Sequence, residues 1–235
     1  MNSTLSISLS KSWANSEVDI RKISRDFPSR ARGGLWKDDV DDTFYAFFGQ
    51  DPYGHGADDP SLWRFDTDGK GGGKWSEQEL SNPAEFRDMV QSRNGAYTQA
   101  RRAGFWAGGE GNRWTRPYDV LQPVPGMISY NMSTKTCANH TVAEYSPYGT
   151  LTGGNLEYVP MFGPNGIILV LGGAYDSTLG NPQGGPEGRL DFQNITFFDP
   201  ITMEWFHQTT TGVPPTRRWD FCTVGVKSMN GTYEM

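Results

Sequence analysis

The fold is decided by Gly166-Ile-Ile-Leu-Val-Leu-Gly-Gly173 and, after a loop rich in Gly, Pro and Asn, by Asn194-Ile-Thr-Phe-Phe-Asp-Pro-Ile-Thr-Met-Glu-Trp205. The first run is typical of a short β-strand that stops at a glycine pair. The second predicts a strand, a tight Asp-Pro turn and another strand that carries a tryptophan. If this pattern recurs at a fixed spacing, it is the unit of a repeat architecture and not a single pair of hairpins.

A column of tryptophans gives the period. Trp13, Trp75 and Trp205 each end a short polar-flanked run, and Cys137 takes the same place in Thr-Lys-Thr-Cys. Consecutive members of this column are 62, 62 and 68 residues apart. We therefore interpret Cys137 as a substituted member of the column.

Three further columns recur in a constant order. One consists of apolar runs that end on glycine, with repeat-defining positions at Gly49, Gly108, Gly109, Gly172 and Gly173. The next consists of aromatic runs that end at Asp66, Asn131 and Asp199. The last opens each unit and carries Arg32, Arg93 and Arg217. Four columns in one order predict four short strands per repeat, with insertions at 51–59, 112–124 and 175–189 between the second and third strands.

Four short strands cannot bury both faces of a small sheet, and stacking successive sheets around an axis solves this problem. The predicted fold class is therefore all-β, an incomplete β-propeller of about three and a half four-stranded blades. The predicted units are two closing-blade strands in 1–20, blades in 21–80, 81–143 and 144–206, and the start of a further blade in 207–235. Residues 5–9 and 12–13 are expected to form the closing strands, and a closed ring is expected to need more chain.

The order of glycine pair, aromatic-Asp turn and tryptophan resembles the kelch repeat. Leu171-Gly-Gly173, Phe198-Asp-Pro and Trp205 carry the resemblance best, and it covers nearly the whole chain. The first unit lacks one glycine of the pair, and the second has Asn131 and Cys137 where the repeat has Asp and Trp. The sequence pattern of the repeats is similar to that of fungal kelch-repeat proteins of the cell surface. The resemblance implies a binding scaffold, with loops on one propeller face contacting a protein or a polysaccharide.

The same resemblance raises the possibility of an enzyme similar to galactose oxidase, whose catalytic domain is also kelch-like. Its chemistry needs copper held by two His and two Tyr, one Tyr being joined to a Cys. His55 lies in an insertion, whereas His140 and His207 follow the fourth strands of two different blades. These side chains are not expected to converge, so we predict no catalytic residue, no metal site and no cofactor in this chain. The alternative function is an extracellular copper oxidoreductase whose ligands lie outside these 235 residues.

Charge and sequons bear on the partner and the compartment. A net charge of −6 argues against a nucleic-acid partner, and no apolar run approaches the roughly 20 residues of a membrane span. Five Asn-x-Ser/Thr triplets are possible N-glycosylation sites, at Asn2, Asn131, Asn139, Asn194 and Asn230. Such sites are glycosylated only in the secretory pathway. The first ten residues, however, lack the basic end and apolar centre of a signal peptide. A secreted or cell-surface protein is favoured, and a cytoplasmic kelch adaptor is the alternative.

Two charged groups leave alternatives open. Arg32, Arg93 and Arg217 either form a basic rim at the channel that receives an anionic group, or hold neighbouring blades together through loop carbonyls. The acidic hairpin Asp38-Asp-Val-Asp-Asp42 is interpreted as a solvated turn, with a metal site as the alternative. Cys137 and Cys222 fall in different blades and are expected to stay unbonded.

Overall fold

The computed structural model describes residues 3–24, 28–52, 60–115, 120–176 and 188–235. These residues form short strands and one short helix, α1. In chain order they are β1 Ser3–Ile7, β2 Ile20–Ser24, β3 Gly34–Asp38, β4 Thr43–Phe47, β5 Trp63–Thr67, β6 Gly73–Glu77, α1 Pro83–Asp88, β7 Ala96–Ala100, β8 Ala103–Ala107, β9 Glu110–Gly111, β10 Gln122–Pro123, β11 Met127–Asn131, β12 Thr136–His140, β13 Asn155–Val159, β14 Ile167–Leu171, β15 Asn194–Phe198, β16 Trp205–Thr209, β17 Val226–Lys227 and β18 Tyr233–Glu234.

Three antiparallel sheets of four strands dominate the structure, and the predicted all-β class of an incomplete propeller is confirmed. The first sheet has the order β3-β4-β5-β6, the second β7-β8-β11-β12 and the third β13-β14-β15-β16. The described chain also forms an N-terminal pair, β1–β2, a C-terminal pair, β17–β18, and the short pair β9–β10. The three sheets occupy residues 34–77, 96–140 and 155–209.

The three sheets share one register. Trp75 pairs across the sheet with Phe65, and Trp205 pairs with Phe198. Cys137 pairs with Tyr130 at the corresponding place of the second sheet. Trp75, Cys137 and Trp205 therefore each face an aromatic residue on the third strand, and this neighbour is kept even where cysteine replaces tryptophan.

The glycine column marks a sharp bend after the second strand. Gly108 and Gly109 have φ values of 65° and 95°, and Gly172 and Gly173 have 52° and 91°. In the first sheet Phe48 takes the first position with φ 53° and Gly49 the second with φ 92°. The first position lies in the left-handed α region, which a non-glycine residue can enter at a cost. The second lies outside that region, and it is glycine in all three sheets.

The core lies between the sheets. Trp36 of the first sheet is fully buried and stacks on Tyr130 of the second at 6.2 Å. Gly104 allows this contact, because a Cβ there would lie 2.2 Å from the Trp36 ring. Phe105 packs edge-on against Phe198 of the third sheet at 5.9 Å. Consecutive sheets are thus joined by aromatic layers, as stacked blades require.

The N-terminal region differs from the prediction. Trp13 lies between β1 and β2, is 40% exposed, and donates through Nε1 to the carbonyl oxygen of Ser8. The strand that pairs with β1 is instead β2, which crosses the predicted boundary between 1–20 and 21–80. Ile20-Arg-Lys-Ile carries two β-branched residues, which favour a strand, whereas residues 10–17 are polar around Trp13. The matching spacing of Trp13 to Trp75 does not reflect an equivalent position.

Candidate functional site

A ring of backbone hydrogen bonds runs along the inner ends of the sheets. The amide of Asn94 donates to the carbonyl of Arg32 at 3.1 Å. Gly153 donates to Asn94 at 2.9 Å, and Asp220 donates to Gly153 at 2.7 Å. All four residues have φ between 47° and 62°. Each residue just before a first strand therefore binds its counterpart in the neighbouring repeat.

A second ring uses the glycine column. Gly49, Gly109 and Gly173 donate to the carbonyls of Ser92, Leu151 and Arg218 of the following repeat, at 3.0, 2.6 and 2.9 Å. A Cβ on Gly173 would lie 2.7 Å from the Cα of Gly154. Glycine is needed at these positions because, within one repeat, the backbone before the first strand and the backbone after the second strand approach too closely for a side chain.

The three arginines do not occupy one column. Arg32 is equivalent to Asn94 by the inner ring. Arg93 pairs with Glu110 in an isolated bridge, and the equivalent bridge of the first repeat joins Ala31 to Gln50. The sequence match is one residue out of register, because Arg32 and Arg93 are 61 residues apart while the ring positions Arg32 and Asn94 are 62 apart. The three arginines are therefore not equivalent in register, and their role as a basic channel rim stays a prediction.

Arg93 holds two repeats together. Its guanidinium lies 2.8 Å from the carboxylate of Glu110 and also donates to the side-chain carbonyl of Gln50 in the preceding repeat. Its side chain is 13% exposed and that of Glu110 is 17% exposed. Arg217 forms a longer ion pair with Asp191 at 3.4 Å. The contacts of Arg93 support the bridging role of the two alternatives.

A groove of about 730 Å³ runs along the first strands, from the hairpin after β3 to the segment before β17. The charged side chains that line it have partners. Lys37 binds Asp39 at 3.0 Å, and Glu157 accepts hydrogen bonds from Tyr233 and Thr223. Tyr97 adds an aromatic surface, since its ring is 39% exposed and stacks on Trp106. The groove therefore offers aromatic and neutral polar surface, with its charges already paired.

The acidic hairpin is not simply a solvated turn. The carboxylate of Asp38 is fully buried and lies 2.6 Å from Nη2 of Arg102 in the second sheet. Burial raises the pKa of Asp38, but the hydrogen bonds from Arg102 and from the amide of Val40 outweigh it, so the pKa is lowered overall. The pairing crosses between sheets, and opposite charges in two separate hairpins are its only signal in the sequence.

Arg102 and its neighbour Arg101 form the two-residue turn between β7 and β8. Their φ values, 63° and 47°, are those of a type I′ turn, which usually selects Asn and Gly. Arg101 donates to the carbonyls of Asn165 and Pro164 in the third repeat. The two adjacent arginines thus bind the repeats on either side, which accounts for their presence at positions of strained backbone.

The long connections leave the sheets at one face. They join the second strand to the third in every sheet, at 48–62, 108–126 and 172–193. Because equivalent ends of stacked sheets lie on one side, these connections share that side. We call it the long-loop face. Much of the predicted insertions, namely 53–59, 116–119 and 177–187, lies outside the described residues, and so does His55.

Aromatic side chains lie on the long-loop face. Trp219 is 45% exposed, and the guanidinium of Arg189 lies 4.2 Å from the centre of its ring. Tyr148 is 52% exposed and lies near Tyr175. Trp114 is half-buried, and Arg113 lies 4.7 Å from its ring. Sequence reasoning did not single out these residues, because Trp114, Tyr148 and Trp219 belong to connections and follow no column.

The possible glycosylation sites fall on the surface. Asn131, Asn139, Asn194 and Asn230 are exposed, and Asn2 lies outside the described residues. Asn131 makes the turn of the second sheet, its side-chain oxygen accepting hydrogen bonds from the amides of Ser133 and Thr134. Asp199 does the same in the third sheet. In the first sheet Asp68 makes these bonds instead, while Asp66 pairs with Arg64 at 2.6 Å.

The remaining candidate chemistry is dispersed in the described part of the chain. His140 bonds to Ser129 on the second sheet, and His207 bonds to Thr196 on the third. Within the described ranges, no three His, Cys, Asp or Glu side chains come close enough together to hold a metal ion. Cys137 is buried, Cys222 is exposed, and both are free, as predicted. A helix long and apolar enough to cross a membrane is absent from the described ranges.

Comparisons with known proteins support the fold. No protein-family model matches the chain, and no curated protein matches it. Among solved structures, the chain is similar to YjhT, with a TM-score of 0.50 and 17% sequence identity. The similarity covers 79% of this chain and 53% of YjhT, so the chain spans about half the length of that protein. With the three four-stranded sheets, this likeness supports a propeller-like all-β fold.

Proposed function

We propose that this chain is a non-enzymatic kelch-repeat scaffold at the cell surface that binds a polysaccharide or a protein through its long-loop face. The proposal rests above all on one observation: exposed Tyr148 and Trp219 lie on the side where the three long connections emerge. Aromatic residues in loops held by a rigid scaffold are the usual anchors of binding surfaces.

The repeat organisation supports the kelch part of the proposal. The third sheet carries the glycine pair, the aromatic-Asp turn and the tryptophan of the repeat. In all three sheets the residue at the tryptophan position pairs with an aromatic residue on the third strand. The surface location draws support from the four exposed sequons of the described chain.

Binding is tested by co-sedimentation with insoluble β-glucan, chitin and mannan and by an array of soluble glycans. Trp219→Ala and Tyr148→Ala are expected to reduce retention at least about tenfold if each ring anchors the ligand. Phe206→Ala is the matched control, since Phe206 is 42% exposed but lies on an outer strand away from the long-loop face. Equal retention of all three variants and the parent, at unchanged melting temperature, would contradict the proposal for polysaccharides.

Location is tested separately. Expression in a secreting eukaryotic host should give a mass that falls on treatment with an N-glycosidase. A secreted chain whose mass does not change on N-glycosidase treatment would favour the cytoplasmic adaptor, whatever the binding result. Oxidation of a primary alcohol by the copper-loaded chain would overturn the non-enzymatic part.

A further inference from the structure

A groove of about 620 Å³ lies between the outer parts of the second and third sheets, and we call it the outer groove. One wall is the end of β12 with the connection that follows it, at 139–144. The other wall is the turn before β16 with the start of that strand, at 203–206. Both sheets have all four strands, so the outer groove is formed by two whole neighbouring repeats.

The outer groove carries negative charge without a matching cation. Glu144 and Glu204 line it and are exposed, and the described residues that line it include no lysine or arginine. The sequence itself has no lysine or arginine at 136–188 or at 190–216, the stretches that supply both walls. Arg101 approaches the third sheet, but its guanidinium is bound to the carbonyls of Pro164 and Asn165.

The two histidines beside the outer groove do not neutralise these carboxylates. Burial lowers the pKa of His140, so its imidazole is neutral at pH 7, and it is bonded to the hydroxyl of Ser129 at 2.8 Å. Nε2 of His207 lies 3.7 Å from the carboxylate of Glu144, which is too far for a hydrogen bond. The side chain of Glu204 has no hydrogen bond or ion pair within the described ranges. Both carboxylates are therefore available to a ligand.

Apolar side chains supply the rest of the outer groove. Val142 is 69% exposed and Met203 is 36% exposed. Trp205 is half-buried, and its ring is held edge-on by Tyr145 at 5.4 Å. An aliphatic stem that ends in a cation matches this surface, because its methylene groups pack on apolar side chains while its head reaches the carboxylates. An indole ring also attracts a cation.

We propose that the outer groove binds a lysine or arginine side chain presented by a basic segment of a partner protein. Charge selects this occupant, because the groove offers two carboxylates and the whole chain has a net charge of −6. An acidic segment would be repelled by the same carboxylates. The surface is distinct from the long-loop face, since its walls adjoin the fourth strands β12 and β16 and the long connections join second strands to third strands.

The probe is a labelled Gly-Ser peptide with spaced lysines, titrated with the whole chain and followed by fluorescence anisotropy. The chain is made in a bacterial host so that no glycan is added to Asn139, which lines the groove. Val142→Lys places a cation in the groove itself and should weaken binding at least about tenfold. Val213→Lys is the matched control, since it changes the net charge equally at a residue that is 97% exposed and outside the groove.

A second pair of variants removes the carboxylates. Glu144→Gln combined with Glu204→Gln should also weaken binding at least about tenfold, whereas Glu17→Gln combined with Glu85→Gln, with the same change of charge at exposed sites elsewhere, should not.

Three results would each overturn the proposal. One is equal weakening in a groove variant and its matched control, which would show that net charge alone attracts the probe. Another is equal affinity for the same peptide with norleucine in place of lysine, which would show an apolar occupant. The third is no binding of the lysine peptide at low salt. Retention on polysaccharide should be unchanged in Val142→Lys, so this proposal and that of the long-loop face fail independently. Far-UV circular dichroism and the melting temperature check that every variant is folded.

Discussion

The guanidinium of Arg102 reaches from the second sheet to the buried carboxylate of Asp38 in the first, with an N···O distance of 2.6 Å. Replacing Arg102 by Met should lower the free energy of unfolding, because it leaves the buried carboxylate of Asp38 without its charged partner. Urea denaturation measures the change. Lys37→Met is the matched control, since it removes only the exposed pair to Asp39 and should lower the free energy of unfolding much less. Equal losses in both variants would contradict the assigned burial of Asp38.

The same pair predicts a dependence of stability on pH. The pKa of Asp38 is lowered in the folded chain, because the hydrogen bonds from Arg102 and the Val40 amide outweigh the opposing effect of burial. A lowered pKa contributes stability that is present above the unfolded value of about 3.9 and is lost as the pH falls through the folded value. The advantage of the parent over Asp38→Asn in urea should be constant above about pH 5 and shrink below about pH 4. An advantage that persists unchanged at pH 2.5 would show that the carboxylate charge is not its source.

Two glycines with positive φ should differ sharply in their tolerance of alanine. At Gly173, φ is 91° and a Cβ would lie 2.7 Å from the backbone of Gly154. At Gly163, φ is 65° and a Cβ would have no neighbour within 4 Å. Gly163→Ala should cost about 1 kcal/mol from the backbone alone, and Gly173→Ala well over about 3 kcal/mol from backbone and contact together. Thermal unfolding of both variants compares them, and similar melting temperatures would refute the close approach of Gly173 to Gly154 within the third repeat.

The two cysteines should react very differently with a thiol reagent. Burial raises the pKa of Cys137 to about 12, and the thiolate is the reactive form. Cys222 is exposed. Ellman's reagent at pH 8 should therefore modify one thiol rapidly in the native chain and the second only after denaturation. Mass spectrometry of the labelled peptides identifies the site, and rapid labelling of Cys137 in the native chain would contradict its packing against Tyr130.

The repeat and its strand order could be predicted because they depend on local signals. A glycine at a sharp bend and an aromatic pair across a hairpin are fixed by the residues on the spot, and this is why Cys137 could be placed in a column of tryptophans. Trp13 shows the limit of that reasoning. Its spacing matched, but the strand that pairs with β1 is β2, and Trp13 lies outside both strands.

Contacts between repeats could not be predicted in the same way. Arg32 and Arg93 look equivalent in the sequence, yet a shift of one residue places Arg93 in a bridge with Glu110 and leaves Asn94 at the position of Arg32. The pair Asp38–Arg102 likewise depends on the distance between neighbouring hairpins. Such contacts require the stacking geometry, which no single repeat specifies.

Substitution of Arg93 distinguishes its role as a bridge between repeats from a role in ligand binding. Its guanidinium binds Glu110 at 2.8 Å and Gln50 of the preceding repeat, and Glu110 also accepts from Asn94. Arg93→Met should lower the free energy of unfolding by about 2 to 3 kcal/mol, since Glu110 loses its partner in a largely buried position. Adding Glu110→Gln removes the stranded charge, so the double variant should lose less than the sum of the single variants, with a coupling of about 1 to 3 kcal/mol in urea. Retention on polysaccharide, compared at a temperature where all variants are folded, should not change, because Arg93 is covered by its partners. Weaker retention with unchanged stability would instead establish Arg93 as a ligand-binding residue and refute its role as a bridge between repeats.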